Sequence, residues 1–224
     1  MKVGTDAVLL GAWADVRENS QSGIAANDRD IAALGNEIAA LDIGTGTGVI
    51  ALMLAQRNPR LKVAAIDIDE AAARQAEDNA HNSVFADRVS VVHTAVQDFT
   101  GSFDVIVCNP PFFVNALEAP DEQRNIARHA VSLTYQQLMA AACRLLNDDG
   151  EISVVVPFDY CRQMEDEATF AGLFPSRKCA VRTTPSKPVR RYLLAFRKSP
   201  CRCAREEMVI GDSYYKELTQ EFYL

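Results

Sequence analysis

The sequence lacks a hydrophobic run long enough to span a membrane, and its first residues lack the basic and apolar regions of an export signal. Its six cysteines match neither a disulfide scaffold nor a zinc site, and Cys201-Arg202-Cys203 has no partner pair. We therefore expect a cytoplasmic protein with reduced thiols, no bound metal and no membrane contact. Internal repeats and linkers are absent too, so the 224 residues, 48% of them hydrophobic, should form one domain.

Apolar runs alternate with helical stretches along most of the chain, as is typical of βαβ units around a parallel sheet. The last two extended runs are joined by only Pro185-Ser186-Lys187-Pro188, which is too short for a helical crossover and predicts an antiparallel hairpin. The sequence thus predicts an α/β fold with a doubly wound, mostly parallel seven-stranded sheet and a C-terminal antiparallel hairpin. The predicted strands are 37–43, 62–68, 89–93, 104–109, 151–157, 176–184 and 189–197, and the predicted helices are 47–57, 70–83 and 134–146.

One loop carries a set of groups suited to a planar amine. The apolar run 103–108 is followed by Asn109-Pro110-Pro111-Phe112. The side-chain oxygen of Asn109 and the backbone carbonyl of Pro110 can each accept a hydrogen bond from an NH2 group, while Phe112 can stack on a ring. A plain Pro-Pro turn after a strand would contain the same residues, so this motif alone leaves both interpretations open.

A glycine-rich turn lies further upstream, in Leu41-Asp-Ile-Gly-Thr-Gly-Thr-Gly-Val49, between a predicted strand and a predicted helix. Glycines at such a turn let a ligand approach the backbone and leave the N–H groups of the helix facing it. The dinucleotide fingerprint G-x-G-x-x-G would require a glycine where Val49 stands. The spacing therefore argues against a pyrophosphate site.

Two carboxylates accompany this turn. Asp67 ends the next predicted strand, nineteen residues after Gly48, where a carboxylate can bind ribose hydroxyls. Asp42 precedes the glycines and is placed to face a ligand ammonium group. A nucleoside that carries an amino-acid tail and no phosphate is S-adenosylmethionine, which we predict as the cofactor.

Together these motifs resemble the class I S-adenosylmethionine-dependent methyltransferases, in particular the branch with N-P-P-F/Y or D-P-P-Y that methylates planar nitrogens. Segments 2–14, 124–129 and 221–224 resemble more closely the bacterial tRNA (adenine-N6) methyltransferases that act on adenine 37 beside the anticodon of valine tRNA. The resemblance implies a Rossmann-like core over residues 37–224 and an N-terminal lid and helix region over residues 1–36. In that family a further strand-forming stretch precedes the segment that starts at Gly4, whereas here Met1 stands just before it, which indicates either a start codon placed late or a shortened lid.

The resemblance also implies roles for individual residues. The catalytic residues would be Asn109, Pro110, Pro111 and Phe112, and the cofactor-binding residues would be Thr5, Asp6, Asp42, Gly44, Thr45, Gly46, Gly48, Asp67, Ile68, Asp98, Phe99 and Asn109. Asp98 would accept a hydrogen bond from the adenine amine beside the apolar Phe99, and Thr5 and Asp6 would close over the methionine end. A turn cap for Asp98 and a helix N-cap for the Thr5-Asp6 pair are the simpler alternatives.

Positive charge is concentrated near the end of the chain. Ten of the 23 Lys and Arg residues lie in segment 175–205, which has no Asp or Glu, although the whole chain has a net charge of −7. Such segregation is typical of a phosphate-binding face, although a solvated basic hairpin would show it as well. Because side chains alternate along a strand, Leu193 and Ala195 would share a face with Arg191 and Arg197. We therefore expect only part of this segment to contact RNA.

Four residues are predicted to bind the substrate. Arg128 and His129 could contact a phosphate or ribose of the incoming nucleotide, or could equally be surface residues at the start of a helix. Arg190 and Arg191 belong to the basic segment. The predicted partner is tRNA, and we take the protein to be a monomer.

The predicted reaction is methyl transfer to the N6 amine of an adenine in tRNA. Methylation of a glutamine amide in a release factor remains an alternative, because that amide offers the same planar NH2 group. A base amine of rRNA, guanine N2 included, is a second alternative that the N-P-P-F motif does not exclude. A module that binds the cofactor without catalysis is a third.

Overall fold

The computed structural model describes residues 4–16, 37–110 and 133–222, which form one eight-stranded sheet with helices on both faces. The strands are β1 (Ile38–Ile43), β2 (Leu61–Asp67), β3 (Val89–His93), β4 (Phe103–Cys108), β5 (Leu146–Pro157), β6 (Phe174–Arg182), β7 (Val189–Arg197) and β8 (Ala204–Val209). The helices are α1 (Thr5–Trp13), α2 (Val49–Arg57), α3 (Glu70–His81), α4 (Tyr135–Leu145), α5 (Cys161–Phe170) and α6 (Ser213–Thr219), and a short 3-10 turn covers Phe158–Tyr160.

The strands follow the order β3-β2-β1-β4-β5-β7-β6-β8. Neighbouring strands are parallel except where β7 pairs with β5 and with β6. The predicted α/β class and the predicted antiparallel hairpin, formed by β6 and β7, are confirmed. Strand order reverses at β1, so the carboxyl ends of β1, β2 and β4 surround a switch point, where ligands bind in open α/β sheets.

The sheet has eight strands where the sequence predicted seven. The additional strand β8 lies at the edge of the sheet and pairs in parallel with β6. Its sequence, Ala-Arg-Glu-Glu-Met-Val, contains three charged residues, and Met208 is its one buried side chain. An edge strand needs few apolar residues, so its pattern resembles that of a loop.

Both faces of the sheet are covered, which explains why the central strands are apolar throughout. In β4, Val105 and Val107 pack into the core beneath α1 and α2, whereas Ile106 and Cys108 pack into the core beneath α4 and α5. The alternation of side chains thus sends every residue of this strand segment into one core or the other. The strand is thereby held rigidly up to the residue before Asn109.

A buried carboxylate anchors the N-terminal helix to the sheet. Glu151 in β5 is 3% exposed and accepts hydrogen bonds from Ser176 Oγ at 2.8 Å, Arg177 Nη2 at 2.9 Å and Arg197 Nε at 2.9 Å. The Arg177 guanidinium also lies 4.0 Å from the centre of the Trp13 ring and donates to the Trp13 carbonyl. Two members of the basic segment therefore have an internal, structural role.

Candidate active site

The glycine-rich turn adopts a conformation that requires glycine. Gly44, Gly46 and Gly48 have φ angles of +69°, +59° and +80°, in the left-handed region that other residues rarely occupy. The backbone N–H groups of Gly44 and Thr45 both donate to the carbonyl of Ile66 in β2, at 2.9 and 3.0 Å. The turn is thereby fixed against the carboxyl end of β2 before α2 begins at Val49.

Asp42 braces this turn from inside the protein. Its Oδ2 accepts hydrogen bonds from Thr45 Oγ1 at 2.6 Å and from the Ala51 N–H in α2 at 3.2 Å. The carboxylate is fully buried, and this burial raises the pKa of Asp42 to about 6. The structure therefore places Asp42 and Thr45 behind the turn, which differs from the expectation that Asp42 faces a ligand ammonium. Gly48 likewise packs against Ala76 of α3.

Asp67 joins the turn to the end of β2. One of its oxygens, Oδ2, accepts from the Gly46 N–H at 2.9 Å, and the other, Oδ1, accepts from the Asp69 N–H at 2.9 Å. Each carboxylate oxygen can accept a second hydrogen bond, so both can still accept from a pair of vicinal hydroxyls. The half-buried Asp67 is thus fixed in orientation and open to a ligand.

A cavity of about 560 Å³ lies at the carboxyl ends of the central strands, within the size range of small-molecule sites. It brings together predicted residues from four separate parts of the sequence. The predicted residues that line it are Gly44, Gly46, Asp67, Ile68, Asp98, Asn109 and Pro110. Ile68 is 51% exposed and gives the cavity an apolar wall next to the Asp67 carboxylate.

The loop after β3 contributes Asp98 and is held by an arginine from α4. The Arg144 guanidinium donates to the carbonyls of Phe99 at 2.8 Å, Val96 at 3.0 Å and Gln97 at 3.4 Å. The Phe99 ring stacks on Phe103, with ring centres 6.0 Å apart, and does not line the cavity. Asp98 reaches the cavity, whereas Phe99 supports the loop from behind.

Asn109 and Pro110 follow β4 directly and lie at the same cavity. Asn109 is half-buried, and within the described ranges no residue forms a hydrogen bond with its side-chain amide. The preceding residue, Cys108, is buried, and burial raises the pKa of its thiol well above the ordinary value. This thiol therefore stays protonated and is not a nucleophile. The predicted residues Pro111, Phe112, Arg128 and His129 lie outside the residues that the structure describes.

Nine of the residues that line this cavity were not predicted as site residues from the sequence, and Thr94, Leu133 and Gln137 are the ones that lie outside the predicted motifs and their neighbouring strand residues or loop backbone. Gln137 also completes a capping box at the start of α4, where its Oε1 accepts from the Thr134 N–H at 3.0 Å. The pattern Thr-x-x-Gln could have located this helix start. It carries no signal that the same end of α4 reaches the cavity.

The N-terminal pair Thr5 and Asp6 does not line this cavity. The α1 helix begins at Thr5 with Gly4 as its N-cap and has no side-chain cap, so the N-cap alternative for this pair is wrong. Asp6 forms an ion pair with Arg191, and both line a second cavity of about 430 Å³ together with Arg190. The structure thus joins two residues expected at different ligands, Asp6 at the cofactor and Arg191 at the substrate.

Most of the basic segment is paired internally. Besides Arg177, Arg191 and Arg197, Lys178 binds Glu165 at 2.7 Å, and Arg182 and Lys198 lie 3.9 and 3.6 Å from carboxylates. The remaining side chains are exposed and have no ion-pair partner in the described part of the chain: Lys187, Arg190, Arg202 and Arg205. These four are the members available to an external anion.

The described ranges contain no cluster of His, Cys, Asp or Glu side chains arranged to hold a metal ion. They also contain no helix with the length and hydropathy needed to cross a membrane.

Residues 30–174 match the family model described as Methyltransferase small domain. A tRNA1(Val) (adenine(37)-N6)-methyltransferase from Bacteroides thetaiotaomicron is 42% identical over 236 positions, which cover 100% of this chain and 91% of that protein. A relative with the same name from Histophilus somni is 37% identical with the same coverage. This chain belongs to that methyltransferase family.

Solved structures agree with the fold of this methyltransferase. A predicted O-methyltransferase from Agrobacterium tumefaciens superimposes with a TM-score of 0.68 at 14% identity and covers 96% of this chain and 95% of its own. A putative RNA methyltransferase from Pyrococcus horikoshii gives a TM-score of 0.54 at 17% identity, with 74% and 76% covered. At these identities the likeness concerns the fold alone.

Proposed function

We propose that this methyltransferase transfers a methyl group from S-adenosylmethionine to the N6 amine of adenine 37 in valine tRNA. The observation that carries the proposal is the position of Asn109 and Pro110, which share one cavity with Asp67 and the glycine-rich turn. A loop suited to holding an amine would therefore lie next to a turn suited to holding a nucleoside. The curated relatives, which are 37–42% identical over the full chain, are named for this reaction.

The lining of the larger cavity fits S-adenosylmethionine. Asp67 would accept hydrogen bonds from the ribose hydroxyls, and Asp98 from the adenine amine, while Ile68 would cover the adenine ring. Gly44 faces open space, since a Cβ placed there would meet no atom within 4 Å. Because glycine has no side chain, the methionine end of the cofactor could approach the backbone at this point. Once bound, this cofactor supplies an electrophilic methyl group on a sulfonium that is already a good leaving group.

The Asn109 loop would make the amine reactive by holding it. The exocyclic nitrogen of adenine is nearly planar because its lone pair is delocalised into the ring. Hydrogen bonds from its two N–H groups to the Asn109 side-chain oxygen and the Pro110 carbonyl favour a pyramidal nitrogen with its lone pair directed at the methyl group. Positioning and electrostatic stabilisation then supply most of the acceleration.

No strong general base is needed at this site. The amine proton becomes acidic as the methyl group is transferred and can leave to water. The cavity residues agree with this requirement, because the Cys108 thiol is protonated and the described lining contains no histidine. The site is thus suited to a substrate whose amine accepts the methyl group, and it is unsuited to covalent catalysis.

An anticodon-loop adenine suits an open site of this kind. It is already unpaired, so its presentation costs less than flipping a base out of a duplex. Lys187, Arg190, Arg202 and Arg205, which have no ion-pair partner among the described residues, are available to the tRNA backbone. Contacts of this kind position RNA without reading its sequence. We place this activity in the cytoplasm, where tRNA is modified.

The test is methyl transfer from labelled S-adenosylmethionine to total tRNA, to rRNA and to release factors in separate reactions. Label that co-migrates with N6-methyladenosine after nucleoside digestion of tRNA is the expected result. Valine tRNA with guanosine at position 37 is the matched control and should receive no label. Label in protein, in guanosine or in rRNA alone would contradict the proposal and assign the amine site to another substrate.

A further inference from the structure

The second cavity lies beside the proposed amine site at the same edge of the sheet. Strand β5 is the immediate neighbour of β4. Because Cys108 pairs with Val154, β5 extends three residues beyond the level of Cys108, as far as Pro157. Pro157 in turn pairs with Arg191 of β7. The cavity at Pro157 and Arg191 is therefore about 5–10 Å to the side of β4, given the spacing of neighbouring strands. This lateral offset from β4 is on the scale of one nucleotide.

An exposed aromatic ring forms one wall of this cavity. Phe158 follows β5 directly, lies in the short 3-10 turn and is 51% exposed. Its ring is stacked on Tyr192, with centres 6.0 Å apart and planes 26° apart. Lys178 Nζ lies 4.6 Å from the Tyr192 ring centre and is held by Glu165 at 2.7 Å. Phe158 is thus supported from behind and presents its remaining surface to solvent.

The charges in the cavity suit a neutral ring with a phosphate next to it. Asp6 and Arg191 neutralise each other as an ion pair. Asp159 and Arg190 remain, both exposed and without an ion-pair partner in the described part of the chain. The Asp159 carboxylate would repel a phosphate inside the cavity, but it could accept a hydrogen bond from a base. Arg190 would then lie near the phosphate that flanks this base.

We propose that Phe158 and Arg190 form a subsite for the nucleotide immediately adjacent to the target adenine, whose unpaired base stacks on Phe158. The inference rests on the proposed function and extends it to a second nucleotide of the RNA. Stacking on an aromatic ring tolerates any base, because every base has a π face. The subsite therefore holds the RNA in register without restricting the identity of the neighbouring base.

The experiment compares Phe158→Leu with the wild type on an anticodon stem-loop and on two stem-loops that are abasic at position 36 or 38. Stacking of one base on an aromatic side chain is worth about 5- to 150-fold in binding. We expect Phe158→Leu to raise KM for the intact RNA by at least fivefold, with kcat at saturating RNA and the affinity for S-adenosylmethionine nearly unchanged. Phe158→Tyr should restore the wild-type KM, which separates stacking from a general defect.

One of the two abasic RNAs should bind the wild type more weakly than the intact RNA does, by a similar factor. Phe158→Leu should bind that abasic RNA and the intact RNA equally well, because the variant has already lost the aromatic ring on which the base stacks. Phe170 provides a matched control, since it is 87% exposed and lies at the far end of α5, so Phe170→Leu should leave KM unchanged. Independent, multiplicative effects of Phe158→Leu and both abasic sites, or an unchanged KM in Phe158→Leu, would overturn the subsite. A wild type that methylates no RNA would instead overturn the proposed function.

Discussion

Replacing Glu151 by glutamine should destabilise the protein by about 2–4 kcal/mol although it hardly changes the shape of the side chain. The Glu151 carboxylate is 3% exposed and is the counter-charge of both Arg177 and Arg197. Breaking a buried ion pair by removing one partner costs about 3–5 kcal/mol. The two arginine side chains are 20% and 23% exposed, so water compensates part of that loss and lowers the expected value.

Urea unfolding followed by circular dichroism measures this effect. With about 2–3 kcal/mol of unfolding free energy lost per molar urea, the midpoint of Glu151→Gln should fall by about 1–2 M. Glu77→Gln is the control, because Glu77 is an exposed residue of α3 without a partner in the described part of the chain. It should stay within about 0.5 kcal/mol of the wild type. If Glu151→Gln unfolded like the control, Arg177 and Arg197 would not depend on Glu151 and would again be candidates for RNA contacts.

Three further changes test the cofactor side of the site. Asp67→Ala should weaken S-adenosylmethionine binding in calorimetry by about 1.5–3 kcal/mol, the range for hydrogen bonds to a charged group, and unchanged affinity would place the ribose elsewhere. Arg144→Met should weaken the same binding by about 1–2 kcal/mol, because the loop that carries Asp98 loses its three carbonyl contacts; an affinity equal to that of the wild type would mean that the loop is held without them. Burial raises the pKa of Asp42 from 3.8 to about 6, so the folded state holds this proton more tightly than the unfolded state. The unfolding free energy of the wild type should therefore fall, relative to that of Asp42→Asn, by about 3 kcal/mol as pH rises from about 4 to above 6. A difference that does not change with pH would contradict this assignment.

The parts of the fold that were predicted correctly have strong local signals. The turn from β1 into α2 needs left-handed backbone at Gly44, Gly46 and Gly48, and glycine is the residue that adopts this conformation most readily, so the turn could be predicted. The β6–β7 hairpin follows from a connection too short for a crossover helix. Strand β8 was missed because an edge strand with Met208 as its one buried residue has no apolar pattern.

Side-chain partners distant in the sequence could not be predicted. Glu151 meets Arg177 and Arg197, which are 26 and 46 residues away, so the sequence displays a basic segment where the structure has mostly paired charges. From its position before the glycines, Asp42 was expected to face a ligand. Side-chain alternation in β1 instead directs its carboxylate toward α2. Phe158 follows a strand without any motif, and its stacking on Tyr192 depends on the pairing of β5 with β7.

The central claim is that the Asn109 loop holds the amine while Asp67 and the glycine-rich turn hold the cofactor. Single-turnover methyl transfer to valine tRNA by Asn109→Ala, with S-adenosylmethionine binding measured in parallel, tests it most directly. We predict a loss of at least about a hundredfold in the transfer rate, the scale for removing one hydrogen-bonding group that acts in the transition state, and nearly unchanged cofactor affinity. A large loss of cofactor affinity together with a nearly normal transfer rate at saturation would contradict the claim.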